Sequence, residues 1–468
     1  MTTKYYKYIA LVFAGGMIAA SCNVSKKYKR PDVKASNLYR DSTTTDTTSM
    51  ADLPWKTLFA DTVLQNLIQE GLNNNLDLRT AILKISESQA TLRSAKLAYF
   101  PTLDAGVQVT QAKTSQSSLN FPAGIGINLN TTTYQASLTA SWELNIWGQL
   151  TSLKRQALAN FLQSDASKRA VQTQLIADIA NNYYSLLSLD QQLVITQQTV
   201  KNRIVDVETM KELKEGAVVN GAAVVQSEAN RYAAEVQIPD LKQSIRETEN
   251  ALCILLARAP GPIKRTTLGE QQSVIDLKDG LSTQLLRNRP DVQASEFAFR
   301  SAFENTNVAH SYFYPKLTIT AEGGLSSLQL KNLFDNSIFY NLIGGLTQPI
   351  FNQGQNKARY RIAQAQQLEA FNTFQQTILT AGQEVSNALY SYQNAVSKQE
   401  TRKMQLAALE KSVDYTKELL RYSSATNYTD VLTSEQSLLA AQISGVNDKL
   451  QQLQAAVNLY RALGGGWK

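Results

Sequence analysis

The chain is short of the residues that usually carry chemistry: two cysteines and one histidine in 468 residues. Cys22 closes an N-terminal apolar stretch, which leaves Cys253 alone in Leu252-Cys253-Ile254-Leu255-Leu256. No intrachain disulfide is available to the mature chain, and Cys253 reads as a packing residue. His310 has no cysteine or acidic cluster near it in sequence, which argues against a histidine-based metal site or catalytic triad. Gly464-Gly465-Gly466 precedes no lysine and opens no helix, so it is no phosphate loop, and Gly124-x-Gly126 is weaker still. No pair of carboxylates is recognisable as an acid and a base. The expectation is a protein without enzymatic activity, cofactor or metal.

Charge of one sign and long apolar runs are also missing. The formal net charge of +7 is dispersed along the chain, so no nucleic-acid partner is expected. Beyond the N-terminus no run is apolar enough to cross a membrane as a helix. The N-terminus itself reads as a signal peptide over residues 1–21. Lys4 and Lys7 precede a short apolar stretch from Ile9 to Ile18, which ends in Ala19-Ala20-Ser21-Cys22. Small residues before a cysteine resemble a bacterial lipoprotein cleavage site, with Cys22 as the lipidated residue. Residues 22–58 then read as an extended tether, polar and without periodicity from Arg40 to Ser49.

What the chain does have is a repeat. Ser94-Ala95-Lys96-Leu97-Ala98-Tyr99-Phe100-Pro101 is answered by Val308-Ala309-His310-Ser311-Tyr312-Phe313-Tyr314-Pro315, 214 positions on. Ile179 to Tyr184 is answered by Val385 to Tyr390 at an offset of 206, and Val225-Gln226-Ser227-Glu228 by Leu432-Thr433-Ser434-Glu435 at 207. A duplicated unit of about 200 residues predicts a pseudo-symmetric protein, with repeats over 59–268 and 269–468.

Each repeat changes its hydrophobic period. Tyr134, Ala136, Leu138, Ala140, Trp142 and Leu144 alternate with Gln135, Ser137, Thr139, Ser141 and Glu143, a strand with one apolar and one polar face. The same logic places strands at about 102–112, 133–145, 316–326 and 339–351, one hairpin per repeat. The remainder is helical. Heptad spacing at Ile179, Leu186, Leu193, Val200 and Val207, with Tyr183 and Ile204 beside it, is a coiled-coil signature. Val385, Tyr392, Leu406 and Val413 repeat it more loosely, interrupted at Gln399. Gln172, Gln174, Asn181, Asn182, Gln191, Gln192, Gln197 and Gln198 face either outer solvent or water inside a tube.

Strands of this length, with an aromatic-bearing apolar face, match the transmembrane β-barrel pattern. Open sheet edges cannot sit in lipid, and four strands are too few to close a barrel. The chain must then contribute a share to a common barrel. Two copies would give eight strands and a filled interior, three would give twelve and a channel. The plainer alternative is a soluble sheet packed on helices.

Leu285-Leu286-Arg287-Asn288-Arg289-Pro290-Asp291-Val292-Gln293-Ala294-Ser295-Glu296 resembles the "LLxxRPDIxxAE" segment of outer-membrane efflux factors. Ala462-Leu463-Gly464-Gly465-Gly466-Trp467 resembles their "ALGGGW" ending, and Tyr28-Lys29-Arg30-Pro31 their "YxRP" start. Asn145-Ile146-Trp147-Gly148 and Phe351-Asn352-Gln353-Gly354 sit where the family's strand-to-helix turns lie. The chain thus resembles the TolC-like outer-membrane efflux factors, lipoprotein branch (NodT-type), which serve resistance-nodulation-division efflux systems. The resemblance implies a homotrimer with a twelve-stranded barrel and a helical periplasmic tunnel. It also implies two partners, a periplasmic adaptor (membrane fusion protein) and an inner-membrane efflux pump. Alternatives of other kinds are the exit duct of a type I protein-secretion system and a non-conducting, lipid-anchored periplasmic scaffold.

Two helical turnarounds, at about 214–223 and 421–430, are the expected tips. Gly216, Val218 and Gly221 of the first, with Ala425 and Asn427 of the second, are candidate adaptor contacts, the glycines being suited to a reversal. In the family, acidic side chains after the second turnaround ring the closed aperture. Asp430 matches one such position, with Tyr422 beside the turn, while Thr433 stands at the next. Three Asp430 carboxylates near one axis would form an anionic constriction. The simpler role for Asp430 is to cap the returning helix.

Overall fold

The computed structural model describes residues 24–31, 53–118, 129–272, 289–422 and 428–467. Cys22, Ala425 and Asn427 lie outside the described residues. Two compact units share the chain, and each draws on both repeats. The first takes residues 1–32, 86–163 and 296–373; the second takes 33–85, 164–295 and 374–468.

The first unit contains one antiparallel sheet of four strands in the order β1 (Thr102–Lys113), β2 (Asn130–Leu144), β3 (Lys316–Ser327) and β4 (Ile338–Thr347). Each repeat supplies its hairpin, as the period predicts, and β2 pairs with β3 to join the two. Pro101 and Pro315 stand immediately ahead of β1 and β3, where a residue without an N–H costs the ladder nothing. The fourth strand is shorter than the expected 339–351. It ends at Thr347, two residues before Pro349, which has no N–H to extend the pairing.

Register aligns the apolar positions of all four strands. Ala105 faces Leu138, Leu138 faces Gly323 and Gly323 faces Tyr340; one row over, Leu103, Ala140, Ala321 and Leu342 are opposite one another. Where β2 meets β3 the backbones approach closely at Gly324. A Cβ there would fall 2.1 Å from the Ala136 carbonyl oxygen and 2.7 Å from Ser137 Cα. Only glycine fits that crossing.

The strand-to-helix turns are also in this unit. Asn145 Oδ1 accepts from the Leu150 N–H at 2.9 Å, and Trp147 Nε1 donates to the Pro315 carbonyl at 2.7 Å. Gly148, at φ 81°, takes the left-handed conformation that opens helix α4 (Gln149–Glu215). Its counterpart, Gly354 at φ 78°, precedes α8 (Gln355–Tyr422). Residues 24–31 lie along helix α7 (Pro290–Ser311). Tyr28 packs edge-on against Phe299 and Phe303, Arg30 pairs with Glu296 at 2.7 Å, and Asn307 exchanges two hydrogen bonds with the Lys26 backbone.

The second unit is helical. Besides the greater parts of α4 and α8 it contains α1 (Trp55–Leu58), α2 (Thr62–Asn74), α5 (Gly221–Glu235), α6 (Gln237–Leu255) and α9 (Tyr428–Ala462). Helix α3 (Leu76–Leu97) is divided between the units. Its core is formed by Leu64 and Ile68 of α2, Ile176, Ile179, Tyr183, Leu186 and Leu187 of α4, Leu252 and Cys253 of α6, and Leu453 and Tyr460 of α9. Each large aliphatic side chain buried in this way contributes roughly 1.5–3 kcal/mol. Cys253 is fully buried, as its surroundings predict.

Asp61 anchors this core to the chain entering it. One oxygen caps α2 by accepting from the Val63 N–H at 2.8 Å; the other accepts from Tyr183, Thr266 and Gln271 at 2.7, 2.6 and 2.8 Å. Burial alone would raise this carboxyl, but the hydrogen bonds outweigh it and hold it below its ordinary range.

The heptad seam is only partly a core seam. Ile179, Tyr183, Leu186 and Val207 are buried, Leu193 and Val200 are half-buried, and Ile204 is exposed. In the second repeat Val385, Tyr392 and Val413 are buried while Gln399 faces out. Two of the α4 amides, Asn181 and Gln192, bridge to α9. Asn181 meets Asn458 at 3.2 Å, Gln192 meets Asn447 at 3.1 Å, and Ser185 accepts from Gln454 at 3.1 Å.

The repeats differ in their returning helices. The offset that matches Ser227 with Ser434 matches Pro239 with Val446. Pro239 lacks an N–H, and the helix is divided at Val236 into α5 and α6, whereas α9 runs unbroken for 35 residues.

Candidate functional site

Three features carry the functional argument, and each belongs to a single unit. The first is the uncovered apolar face of the sheet. Leu103, Val107, Val109, Leu138, Trp142, Ile338, Tyr340, Leu342 and Leu346 are all exposed, from 39% at Trp142 to 88% at Tyr340, and the register puts them on one face. A contiguous apolar surface of this kind marks a membrane or a partner. The opposite face is polar. Glu143 pairs with Lys316 at 3.3 Å, and Gln135 donates to Glu322 at 2.9 Å. No helix among the described residues is long and apolar enough to cross a membrane.

The second feature is the meeting point of the Arg-Pro-Asp and Gly-Gly-Gly-Trp motifs in the helical unit. Arg289 Nη1 donates to the Ala462 carbonyl at 2.7 Å. Its Nη2 lies 2.7 Å from both Asp291 and Glu384, and its Nε donates to Asp291 at 3.0 Å. Gly464, at φ 88°, lets the terminal turn close on Arg289, since a Cβ there would sit 3.2 Å from the arginine's Cα. Trp467 then lies under Arg169, 4.8 Å from the guanidinium carbon. Both motifs lock the start of α7 to α8 and the end of α9. Arg289 and Asp291 also line a cavity of about 530 Å³ with Asp77, Asp178 and Arg461, but the contacts Arg289 makes are those of a structural lock.

The third feature is the helical turnaround. Met210 of α4, Val224 of α5, and Tyr428 and Leu432 of α9 form one apolar cluster, with Leu213, Val219, Ala223 and Leu420 packed against it. Tyr428 is buried and donates to Ser227 Oγ at 2.8 Å. At the first reversal the Val218 N–H bonds the Leu213 carbonyl at 2.8 Å, closing α4 in a Schellman-type turn. The residue with positive φ is Ala217, at 58°, not either glycine. A Cβ on Gly216 or Gly221 would meet nothing closer than 3.7 and 3.9 Å, so the glycines are not what makes this reversal possible. Gly221 opens α5 behind the Asn220 cap, whose side chain accepts from the Ala223 N–H at 3.2 Å, and Val218 is 67% exposed.

In the second turnaround Tyr422 ends α8 and is 85% exposed. Asp430 lies in the first turn of α9 and is exposed. It stands two residues inside the helix, so it is not the flanking cap, though a carboxylate there still opposes the helix dipole. His310 is surrounded by the rings of Phe313, Tyr314 and Tyr360, and no metal-binding group occurs among the described residues. Sequence reasoning missed Tyr428, whose only signal is apolar character near a turn.

Comparison with known proteins agrees with this geometry. The family model described as outer membrane efflux protein matches residues 67–258 and 281–465. The chain is similar to the probable outer membrane lipoprotein SilC of Salmonella typhimurium, with 28% identity over 96% of this chain and 97% of the relative. It is similar to the cation efflux system protein CusC of Escherichia coli O157:H7, with 27% identity over 98% of each. Among solved structures, the open state of the Neisseria gonorrhoeae MtrE outer membrane channel superposes with a TM-score of 0.83 at 26% identity, covering 96% of this chain and 99% of that one. The uncovered apolar sheet, the paired hairpins and the two-segment match lead to one conclusion: the chain belongs to the outer membrane efflux protein family and is an outer-membrane efflux channel.

Proposed function

We propose that three copies of the chain close their sheets into one twelve-stranded barrel in the outer membrane, a passive duct for substrate handed on by an inner-membrane pump through a periplasmic adaptor. Its support is the sheet itself. β1 and β4 are unpaired edges, and each unsatisfied backbone group in lipid costs several kcal/mol. Closure by further copies removes those edges, and twelve strands leave an aqueous interior for the polar face bearing Glu143, Lys316 and Glu322. A lipid-anchored scaffold without a pore would have no use for the apolar face.

The duct performs no reaction and needs no cofactor. Cys22 carries the lipid, and residues 24–31 tie that anchor to α7. Asp430 from three chains narrows the aperture, with Tyr422 at its rim. Gly216, Val218, Gly221, Ala425 and Asn427 meet the adaptor. Heat-modifiable trimers in outer-membrane fractions, and cation-selective conductance in planar bilayers that falls on Asp430→Asn, are the expected results. A monomer without conductance would sink the barrel, and unchanged selectivity in the variant would sink the aspartate ring.

A further inference from the structure

Away from the features above, Asp206 of α4, Lys417 of α8 and Glu435 of α9 meet inside the helical unit. Lys417 Nζ is 2.5 Å from Glu435 Oε1 and 3.9 Å from Asp206 Oδ1, and the two carboxyl side chains are only 12% and 14% exposed. After burial, the Glu435 charge is what most raises the Asp206 carboxyl. One lysine therefore serves two buried carboxyls, an arrangement in which both are not readily ionised together.

Two further atoms are decisive. Asp206 Oδ2 and Arg203 Nη1 are both buried and neither has a hydrogen-bond partner. Arg203 is 4% exposed and stands three positions before Asp206, on the same face of the helix. A vacant donor thus lies one turn from a vacant acceptor. The groups facing Asp206 are Arg203 on its own helix, Lys417 on α8, and Glu435 and Tyr428 on α9. From α5 comes the uncharged Ser227, held by Tyr428.

We propose that this cluster is a proton-operated clasp. With one proton between them, Asp206 and Glu435 share Lys417 and bind α4 to α8 and α9; without it, Asp206 turns to the vacant Arg203 donor and the clasp loosens. Burial first, and then the Glu435 charge, raise the clasped Asp206 carboxyl to about 6. A group whose pKa is higher in the clasped arrangement favours it in acid. The clasp is strongest below the ordinary aspartate range, weakens as pH rises toward 6 and changes no further above it. With release leaving Asp206 at or below its ordinary value beside Arg203, the opening equilibrium rises roughly tenfold between about pH 5 and pH 7.5. The device belongs to one chain and does not depend on the barrel.

The test is hydrogen exchange on the full-length protein in lipid nanodiscs across that pH range, corrected for intrinsic exchange. Peptides around Asp206, Lys417 and Glu435 are followed beside a control peptide around Leu186. Roughly tenfold faster opening at the clasp alone, levelling off above about pH 6, is expected. Asp206→Asn should hold the clasp closed throughout. Glu435→Gln, which removes the like charge, should move the plateau to lower pH and decides the matter if the first variant does not fold. A wild-type clasp indifferent to pH, a dependence that survives Asp206→Asn, or a plateau unmoved by Glu435→Gln would overturn the proposal.

Discussion

Replacing Arg289 with methionine removes the centre of the lock between α7, α8 and α9. The methionine fills most of the space but leaves the Asp291 and Glu384 carboxylates and the Ala462 carbonyl without the cation that joins them. Breaking a buried ion pair from one side costs about 3–5 kcal/mol. Here the arginine side chain is 6% exposed, but Asp291 and Glu384 are 41% and 30% exposed, so water recovers part of that cost. About 2–3 kcal/mol remains. With an unfolding entropy of about 2 cal/mol/K per residue, a chain of this size unfolding as one unit should melt about 2–3 °C lower. Scanning calorimetry of the purified protein at neutral pH reads this directly, and Arg289→Lys, keeping the charge but losing the fork, should fall between. The acid limb gives a second readout. Burial would raise the Asp291 carboxyl, but the Arg289 hydrogen bonds and charge outweigh it and hold it below its ordinary range. Its stabilisation is therefore present above the unfolded aspartate value, near 4, and lost as pH falls through the folded one. The gap between wild type and Arg289→Met should narrow below about pH 4. A gap under about 1 kcal/mol at neutral pH, or one undiminished in acid, refutes the assignment of this cluster as a charged lock.

Gly324→Ala places a Cβ against the Ala136 carbonyl and should force β2 from β3, seen as a loss of heat-modifiable assembly in the outer membrane. Leu138→Lys puts a charge on the uncovered sheet face and should cost roughly 2–4 kcal/mol in lipid, measured by unfolding from bilayers, whereas Ser137→Lys on the polar face should be tolerated. Ala217→Gly relieves a left-handed alanine at the first reversal and should stabilise the tip by about 1 kcal/mol, read as slower hydrogen exchange around Leu213. Asp61→Ala removes the α2 cap and three side-chain bonds and should destabilise by about 2 kcal/mol or more in thermal melts.

The hairpins were legible because a half-buried strand writes its two faces into alternate residues, as Tyr134 to Leu144 does. The pairing of β2 with β3 was not, since nothing in either strand encodes a partner in the other repeat. The extra residues assigned to β4 came from an apolar pattern that continues past Thr347, where Pro349 overrules it. The heptad from Ile179 to Val207 marked a helix correctly, but its seam is buried only where another helix covers it, and Ile204 finds none. Glycine is the usual residue for a reversal, which is why Gly216 and Gly221 drew attention. The strain fell on Ala217, where hydrogen bonds from Gly216 and Val218 fix the turn whatever the side chain. The Arg-Pro-Asp motif announced a family without announcing a role. Arg289 reaches a carbonyl more than a hundred and seventy positions away, and no local pattern records such a contact.

The two open edges of the sheet bear on inheritance as well as on folding. In the proposed three-chain assembly a copy whose β1 or β4 cannot pair spoils the two sound copies beside it. If half the chains in a cell carried such a defect, only roughly one assembly in eight would be free of it. An altered allele of this protein would then act dominantly when expressed beside the normal one, because the intact assemblies fall with the third power of the normal chain's share.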